Sequence, residues 1–124
     1  MSGEKIMIVD DDEDLQVLYS LYLKGESYEI VQALNGQEAL DLLEKERPDL
    51  IVLDMIMPVM DGEEFFIKLR AEKKMSSIPV IIASINEKIP QRLFGLGIHD
   101  ILRKPFTIDV LVDRIRKALN EKKG

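Results

Sequence analysis

Three short runs of apolar residues, each ended by a polar side chain, constrain the fold of this chain most. They lie at positions 5–9, 50–53 and 80–83. Asp10, Asp54 and Ser84 follow the three runs directly. A strand that is apolar at nearly every position is buried on both faces of its sheet, which is typical of a parallel sheet covered by helices on each side. The runs therefore predict three strands of such a sheet.

The segments between these strands have the pattern of amphipathic helices. Helices are predicted over residues 12–24, from the Asn35-Gly36 turn to about Arg47, over residues 62–74, and after Thr107 as N-cap. In the first helix, the apolar residues that recur at helical spacing are Leu15, Leu18, Tyr19 and Tyr22. This spacing, with Gly25 as the stop signal after it, predicts the first helix.

Two weaker strand patterns complete the alternation, at residues 28–33 and 100–102. Pro90, Gly95 and Gly97 predict that the fourth helix is brief or displaced. Five strands alternating with five helical segments predict an α/β fold, in which a doubly wound parallel sheet carries helices on both faces. A chain of 124 residues is expected to form one domain over residues 1–124, with a core from about residue 4 to residue 121.

The acidic side chains are concentrated in the first half of the chain. Residues 1–62 carry 15 acidic and 4 basic side chains, whereas residues 63–124 carry 8 and 13. The net charge of −6 argues against nonspecific attraction to nucleic acid or to an anionic membrane surface. The sequence contains no signal-peptide pattern, no apolar stretch of membrane-spanning length and no cysteine. These features predict a cytoplasmic protein that makes no direct contact with nucleic acid or membrane.

Charged and polar side chains gather where the predicted strands end. Asp10, Asp11 and Asp54 follow two strands, Ser84 ends a third, and Lys104 follows the last. In doubly wound sheets, ligands bind beyond the carboxyl ends of the strands, so these side chains form a candidate site. Three neighbouring carboxylates repel one another unless one is protonated or a cation lies among them, and oxygen ligands favour Mg²⁺ or Mn²⁺.

The same set of residues suits a phosphoryl group. Lys104 would supply a positive charge to one phosphoryl oxygen, and the hydroxyl of Ser84 would donate a hydrogen bond to another. A carboxylate that forms an acyl phosphate is a known type of nucleophile. Asp54 stands alone at the end of a central strand, so it is the candidate nucleophile.

Five short fragments stand at these strand ends: Val9-Asp10-Asp11, Leu53-Asp54 with Met57-Pro58, Met60-Asp61-Gly62, Ser84, and Lys104-Pro105-Phe106. In this order, from position 6 to about 120, they resemble the receiver domain of bacterial two-component response regulators, of the chemotaxis-regulator type. The resemblance implies a flavodoxin-like sheet of strand order 2-1-3-4-5. It also implies that Asp54 accepts phosphate from the phosphohistidine of a sensor histidine kinase or of a phosphotransfer protein.

The resemblance further implies a ligand set and a switch. Magnesium would be held by Asp11, Asp54, the backbone carbonyl of Ile56 and, directly or through water, Asp10. Ser84 and Lys104 would hold the phosphoryl oxygens. Ser84 and the residue at position 101 would transmit the phosphorylated state, but Ile101 replaces the usual Tyr or Phe and Ile85 replaces a small residue. We therefore expect activation to remodel residues 85–98 more than the Ile101 side chain.

Several functions are compatible with these residues to different degrees. The leading hypothesis is a stand-alone receiver, because the sequence ends just after the fifth helix. Such a receiver would act on an unknown protein target as a monomer or a weak phosphorylation-dependent dimer. It would not be an enzyme beyond catalysing its own phosphorylation and dephosphorylation. The alternatives are a receiver fragment of a longer regulator with a DNA-binding or enzymatic output, and an aspartate-nucleophile phosphatase. The phosphatase is disfavoured because Ile56 stands where that family has a second Asp.

Overall fold

The computed structural model describes residues 3–85 and 88–123 of the chain. The strands in this part are β1 (Lys5–Val9), β2 (Glu29–Ala33), β3 (Leu50–Leu53), β4 (Val80–Ser84) and β5 (Asp100–Arg103). The helices are α1 (Glu13–Gly25), α2 (Gly36–Leu43), α3 (Gly62–Ala71), α4 (Gln91–Phe94) and α5 (Ile108–Lys123). Strands and helices alternate strictly along the chain, as the sequence predicts.

The five strands form one parallel sheet in the order β2-β1-β3-β4-β5. Val9 pairs with Leu53 across β1 and β3, and Leu53 pairs with Ile82 across β3 and β4. Strands β1 and β3 therefore end level with one another, and β4 continues two residues further to Ser84. The predicted doubly wound fold is confirmed, and its register brings the polar residues that follow the strands to one edge.

Each face of the sheet packs against its own group of helices. Side chains from α2, α3 and α4 cover one face, including Leu43, Phe66 and Leu93. Side chains from α1 and α5 cover the other face, including Leu23 and Ile115. Both layers contain residues of the apolar runs, because alternate residues of each strand point to opposite faces.

The first helix is confirmed, and its buried face includes polar side chains beside Tyr19. Its buried residues are Gln16, Tyr19, Ser20 and Leu23, whereas Leu18 and Tyr22 are 41% and 54% exposed. Of the four apolar residues at helical spacing, Tyr19 is buried and Leu15 packs partly buried against the core, whereas two of the four buried positions hold polar residues. The helix begins at Glu13, where the carboxylate of Asp12 accepts hydrogen bonds from the backbone N–H groups of residues 14 and 15.

Two helices also end earlier than predicted. Helix α2 ends at Leu43 rather than near Arg47, because the polar residues that follow carry no side chain into the core. Helix α3 ends at Ala71 rather than near Lys74, since Glu72 adopts an extended backbone conformation with ψ 115°. In both cases the helix stops close to its last buried apolar residue, Leu43 or Leu69, which shows that packing determined the boundary.

The fourth helix is brief, as predicted, with only the four residues Gln91–Phe94. Pro90 precedes it and supplies no side-chain cap. Of the segment 85–98 that the sequence indicated as the moving element, positions 86 and 87 lie outside the described residues. No helix in the described ranges combines the length and the apolar character needed to cross a membrane.

Candidate functional site

The carboxyl edge of the sheet brings Asp10 and Asp54 side by side. The two residues follow the paired positions Val9 and Leu53, and the backbone N–H of Asp54 donates a hydrogen bond to the carbonyl of Val9 at 2.9 Å. Both side chains lie in buried residues, with 3% and 7% of Asp10 and Asp54 exposed. Asp11 follows Asp10 and is exposed to solvent. The sheet register therefore assembles this part of the site without any loop rearrangement.

Asp10, Asp11 and Asp54 form a compact cluster of carboxylates. Each contributes an oxygen atom, and these oxygens lie within 4.8 Å of one another. Like charges at this separation are unfavourable unless a proton or a cation offsets them. A set of carboxylate oxygens with one member open to solvent fits a hard divalent ion that retains part of its water shell, as Mg²⁺ does.

Lys104 provides a positive charge at the same place. Its ammonium Nζ lies 2.8 Å from Oδ2 of Asp10, and its side chain is 15% exposed. Its backbone N–H donates a hydrogen bond to the carbonyl of Ser84 at 2.9 Å, so the ends of β4 and β5 are tied together. The pairing with Asp10 was not predicted, because the sequence indicated only that Lys104 would face the cluster. This ion pair leaves Asp54 as the less compensated of the two buried carboxylates.

The environment of Asp54 disfavours its charged form. The pKa of Asp54 is raised to about 6, chiefly by burial; the charges of Asp10 and Asp11 also raise it, while the ammonium of Lys104 and a hydrogen bond from the backbone of Ile56 lower it. A carboxyl group with such a pKa is ionised at neutral pH but only weakly stabilised as an anion. A cation bound at the cluster would offset the charge of this carboxylate.

The loop after Asp54 needs a glycine at position 62. A Cβ atom there would collide with the carbonyl oxygen of Asp54 and lie 2.8 Å from Cα of Met55, and the N–H of Gly62 donates a hydrogen bond to the carbonyl of Met55 at 2.9 Å. Asp61 caps α3 by accepting a hydrogen bond from the N–H of Glu64. The Asp61-Gly62 pair thus starts α3 directly against the backbone of the candidate nucleophile.

The two residues implied in the switch, and Ile85, which follows Ser84 in sequence, occupy different environments. Ser84 is buried at the end of β4, with 1% of its surface exposed. Ile101 is half-buried and packs against the core layer formed with α2 and α3. Ile85 is 69% exposed. Ile85 therefore does not occupy the interior behind Ser84.

Gln16 contacts the site, although the sequence did not single it out. Its amide Nε2 lies 2.9 Å from the carbonyls of Ile8 and Ala33 and 3.1 Å from that of Asp10, and so joins α1 to the ends of β1 and β2. Among buried side-chain polar atoms of the described residues, its Oε1 alone has no hydrogen-bond partner. The sequence feature that could have identified Gln16 is its position three residues before Tyr19, on the same face of the helix. A polar side chain on a buried helical face usually bonds to backbone groups.

The fold and this edge define a class of protein, and comparison with known proteins agrees. The family model of the response regulator receiver domain matches residues 6–116. The chain belongs to this family, and it is a receiver domain homologous to phosphoacceptor signalling proteins.

Individual relatives refine the assignment. The chain is 37% identical over 119 residues to sporulation initiation phosphotransferase F of Bacillus subtilis, covering 96% of each chain. Among solved structures, a CheY-like receiver domain protein from Methanospirillum hungatei superimposes with a TM-score of 0.89 at 26% identity, covering 98% of each chain. The receiver domain of a Pseudomonas aeruginosa sensor histidine kinase, whose structure has a magnesium ion coordinated in the active site cleft, has a TM-score of 0.85 at 26% identity, covering 96% of this chain and 99% of that one. The chain spans about half the length of the transcriptional regulators that it matches.

Proposed function

We propose that Asp54 is the phosphoacceptor of this receiver domain. The observation that carries the proposal is the placement of its buried carboxylate within a cluster of three acidic oxygens, beside the ammonium of Lys104. An oxygen of Asp54 attacks the phosphorus of a phosphohistidine, the P–N bond breaks, and the electron pair remains on the imidazole of the donor, which takes up a proton. The product is an acyl phosphate on Asp54.

Magnesium fits the donor set of this site, and Mn²⁺ is the alternative cation. Asp10, Asp11, Asp54 and the backbone carbonyl of Ile56 would hold it, with Asp10 acting directly or through water. When bound, the ion neutralises charge on the phosphoryl oxygens. The proposal is supported by the hard carboxylate oxygens of the cluster, which lie within 4.8 Å of one another.

Lys104 and Ser84 complete the proposed site from β5 and β4. The ammonium of Lys104 exchanges its contact with Asp10 for an oxygen of the phosphoryl group, and the hydroxyl of Ser84 donates a hydrogen bond to another oxygen. Both residues are held at the same sheet edge by the bond between the Lys104 N–H and the Ser84 carbonyl. Ser84 and Ile101 then transmit the change to the surrounding structure.

We further propose the cellular setting of this reaction. The phosphodonor is a sensor histidine kinase or a phosphotransfer protein, and the phosphorylated chain acts in the cytoplasm on a protein target, as a monomer or a weak dimer. Residues 1–124 make up a single receiver domain, whether by itself or within a longer regulator. Apart from its own phosphorylation and dephosphorylation, we assign it no catalysed reaction.

The proposal is tested with a small phosphodonor and intact-mass measurement. The wild-type protein, incubated with acetyl phosphate and Mg²⁺, should gain the mass of one phosphoryl group, and chelation of Mg²⁺ should abolish the gain. Asp54→Asn should gain none, whereas the control Asp61→Asn should be phosphorylated as the wild type is. Equal phosphorylation of Asp54→Asn and the wild type would contradict the assignment.

A further inference from the structure

An aromatic pair joins the two sides of the site. Tyr19 of α1 is buried, with 4% of its surface exposed, and its ring stacks on that of Phe106. The ring centroids are 6.2 Å apart, and the ring planes differ by 12°. Phe106 lies two residues after Lys104, in the segment that leads from β5 to α5. The pair therefore connects α1, which follows the acidic cluster, with the segment that carries the lysine.

Tyr19 also lies within the electrostatic field of the acidic cluster. Burial raises the pKa of the Tyr19 phenol to about 12, and the charges of Asp10, Asp54 and Asp12 contribute in that order. The phenol of Tyr19 thus interacts electrostatically with the carboxylates, while its ring packs in the core layer shared with α5. A substitution at Tyr19 therefore leaves every charged group of the site in place.

The segment around Lys104 is fastened at three points. At Lys104 itself, the backbone N–H donates a hydrogen bond of 2.9 Å to the carbonyl of Ser84. Beyond it, Pro105 has no N–H to donate, and Thr107 accepts hydrogen bonds from the N–H groups of Val110 and Leu111 at the start of α5. Between these two anchors lies Phe106, held by the stacked ring of Tyr19.

We propose that Tyr19 is a positioning residue for Lys104: its ring, stacked on Phe106, holds the segment after β5 so that the ammonium reaches the site. This inference rests on the proposed function of Lys104. The ammonium of Lys104 stands on a four-carbon stem of limited length, so the position of the backbone sets which oxygens it can reach. A stacked aromatic ring limits the movement of that backbone with little side-chain freedom to lose, and a displacement of about 1 Å is enough to slow a reaction substantially.

A double-mutant cycle separates positioning from general stability. Phosphorylation by acetyl phosphate is timed at saturating Mg²⁺ for the wild type, Tyr19→Leu, Lys104→Ala and the double variant. We expect Tyr19→Leu to slow the reaction about 5-fold, and the double variant to be no slower than Lys104→Ala, because both changes act through one ammonium. Tyr19→Phe, which keeps the ring, should restore most of the rate. If the two effects multiply in the double variant, Tyr19 does not act through Lys104.

A second readout needs neither metal nor phosphate. Amide hydrogen exchange is followed in the presence of EDTA, where Tyr19→Leu and, from the other side of the stack, Phe106→Leu should both speed exchange at Lys104. The control is Tyr28→Leu, a partly buried tyrosine against the same core layer at the other end of the sheet, and it should leave exchange at Lys104 unchanged. Unchanged exchange at Lys104 in both stack variants would overturn the inference. Failure of the wild type to accept phosphate would instead overturn the proposed function, while the exchange experiment still decides whether the stack holds the segment.

Discussion

Among single residues, two similar carboxylates of the site have different electrostatic environments. Asp10 and Asp54 are both buried carboxylates at adjacent strand ends, yet only Asp10 has the ammonium of Lys104 at 2.8 Å. Asp54 is left with a pKa raised to about 6, chiefly by burial. The residue assigned as nucleophile is thus the one whose negative charge is least offset in the metal-free protein.

This difference predicts a pH dependence of stability in metal-free protein. The pKa of Asp54 is about 6 in the folded protein, above its ordinary value of 3.8, so the folded state holds an extra proton between these values. The free energy of unfolding should therefore fall as pH rises from about 4 to 6, by about 2 to 3 kcal/mol from this group, and level off above pH 6. Urea titrations in EDTA measure the slope.

Two variants identify the group responsible for that slope. Asp54→Asn should remove the fall and make the metal-free protein more stable than the wild type at pH 7. Asp61→Asn exchanges one favourable N-cap for another and should keep the wild-type slope. A slope that persists in Asp54→Asn would show that another group causes it.

At the scale of elements, the strands were predictable from sequence, whereas parts of the helices were not. Strands β1, β3 and β4 are apolar at nearly every position, a pattern that only a doubly covered sheet explains. The apolar spacing in α1 did not indicate that Gln16 and Ser20 are buried. Gln16 bonds to backbone carbonyls, and Ser20 accepts a hydrogen bond from the side chain of Gln32. The residue types of the site were predictable from strand ends, but the pairing of Lys104 with Asp10 depends on side-chain geometry.

Arginine 70 links the element α3 to the turn that precedes β5. Its guanidinium donates hydrogen bonds of 2.9 Å to the carbonyls of Leu96, Gly97 and Ile78, and it lies over the ring of Phe66 at 4.8 Å. Arg70→Met should lower the free energy of unfolding by about 2 kcal/mol and speed hydrogen exchange in residues 96–99. Arg70→Lys should not restore the wild-type values, because one ammonium cannot reproduce the planar fork.

A matched control for Arg70 is available on the same helix. Lys68 is half-exposed and pairs with Glu64 at 3.4 Å, so Lys68→Met should change the free energy of unfolding by less than about 0.5 kcal/mol. Chemical denaturation compares the three variants directly. An effect of Arg70→Met no larger than that of Lys68→Met would contradict the role of Arg70 as a link.

The short α4 predicts which part of the structure changes when the domain is phosphorylated. It has four residues and an uncapped start, and it is held by the ion pair of Arg92 with Glu63 and, just beyond it, by the Arg70 link. With Ile101 in place of an aromatic ring, hydrogen exchange with and without beryllofluoride should change more in residues 88–95 than in β5. Ser84→Ala should suppress that change while Asp54 still accepts phosphate. Exchange that changes in β5 alone would contradict this prediction.

At the scale of the whole molecule, the parallel sheet brings opposite charges together from distant parts of the chain. Asp10 and Lys104 are 94 residues apart in sequence, and their contact joins the acidic first half to the basic second half. Such a site exists only when β1, β3, β4 and β5 are all in register. A cation bound there should accordingly stabilise the entire domain rather than one loop.

We infer that, of the three neighbouring carboxylates at this sheet edge, only that of Asp54 accepts the phosphoryl group. The direct test is to treat the wild-type protein with acetyl phosphate and Mg²⁺, reduce the acyl phosphate with borohydride, and map the resulting homoserine by peptide mass spectrometry. We expect homoserine at position 54 and unmodified aspartate at positions 10 and 11. Homoserine at position 10 or 11, with Asp54 unmodified, would contradict it.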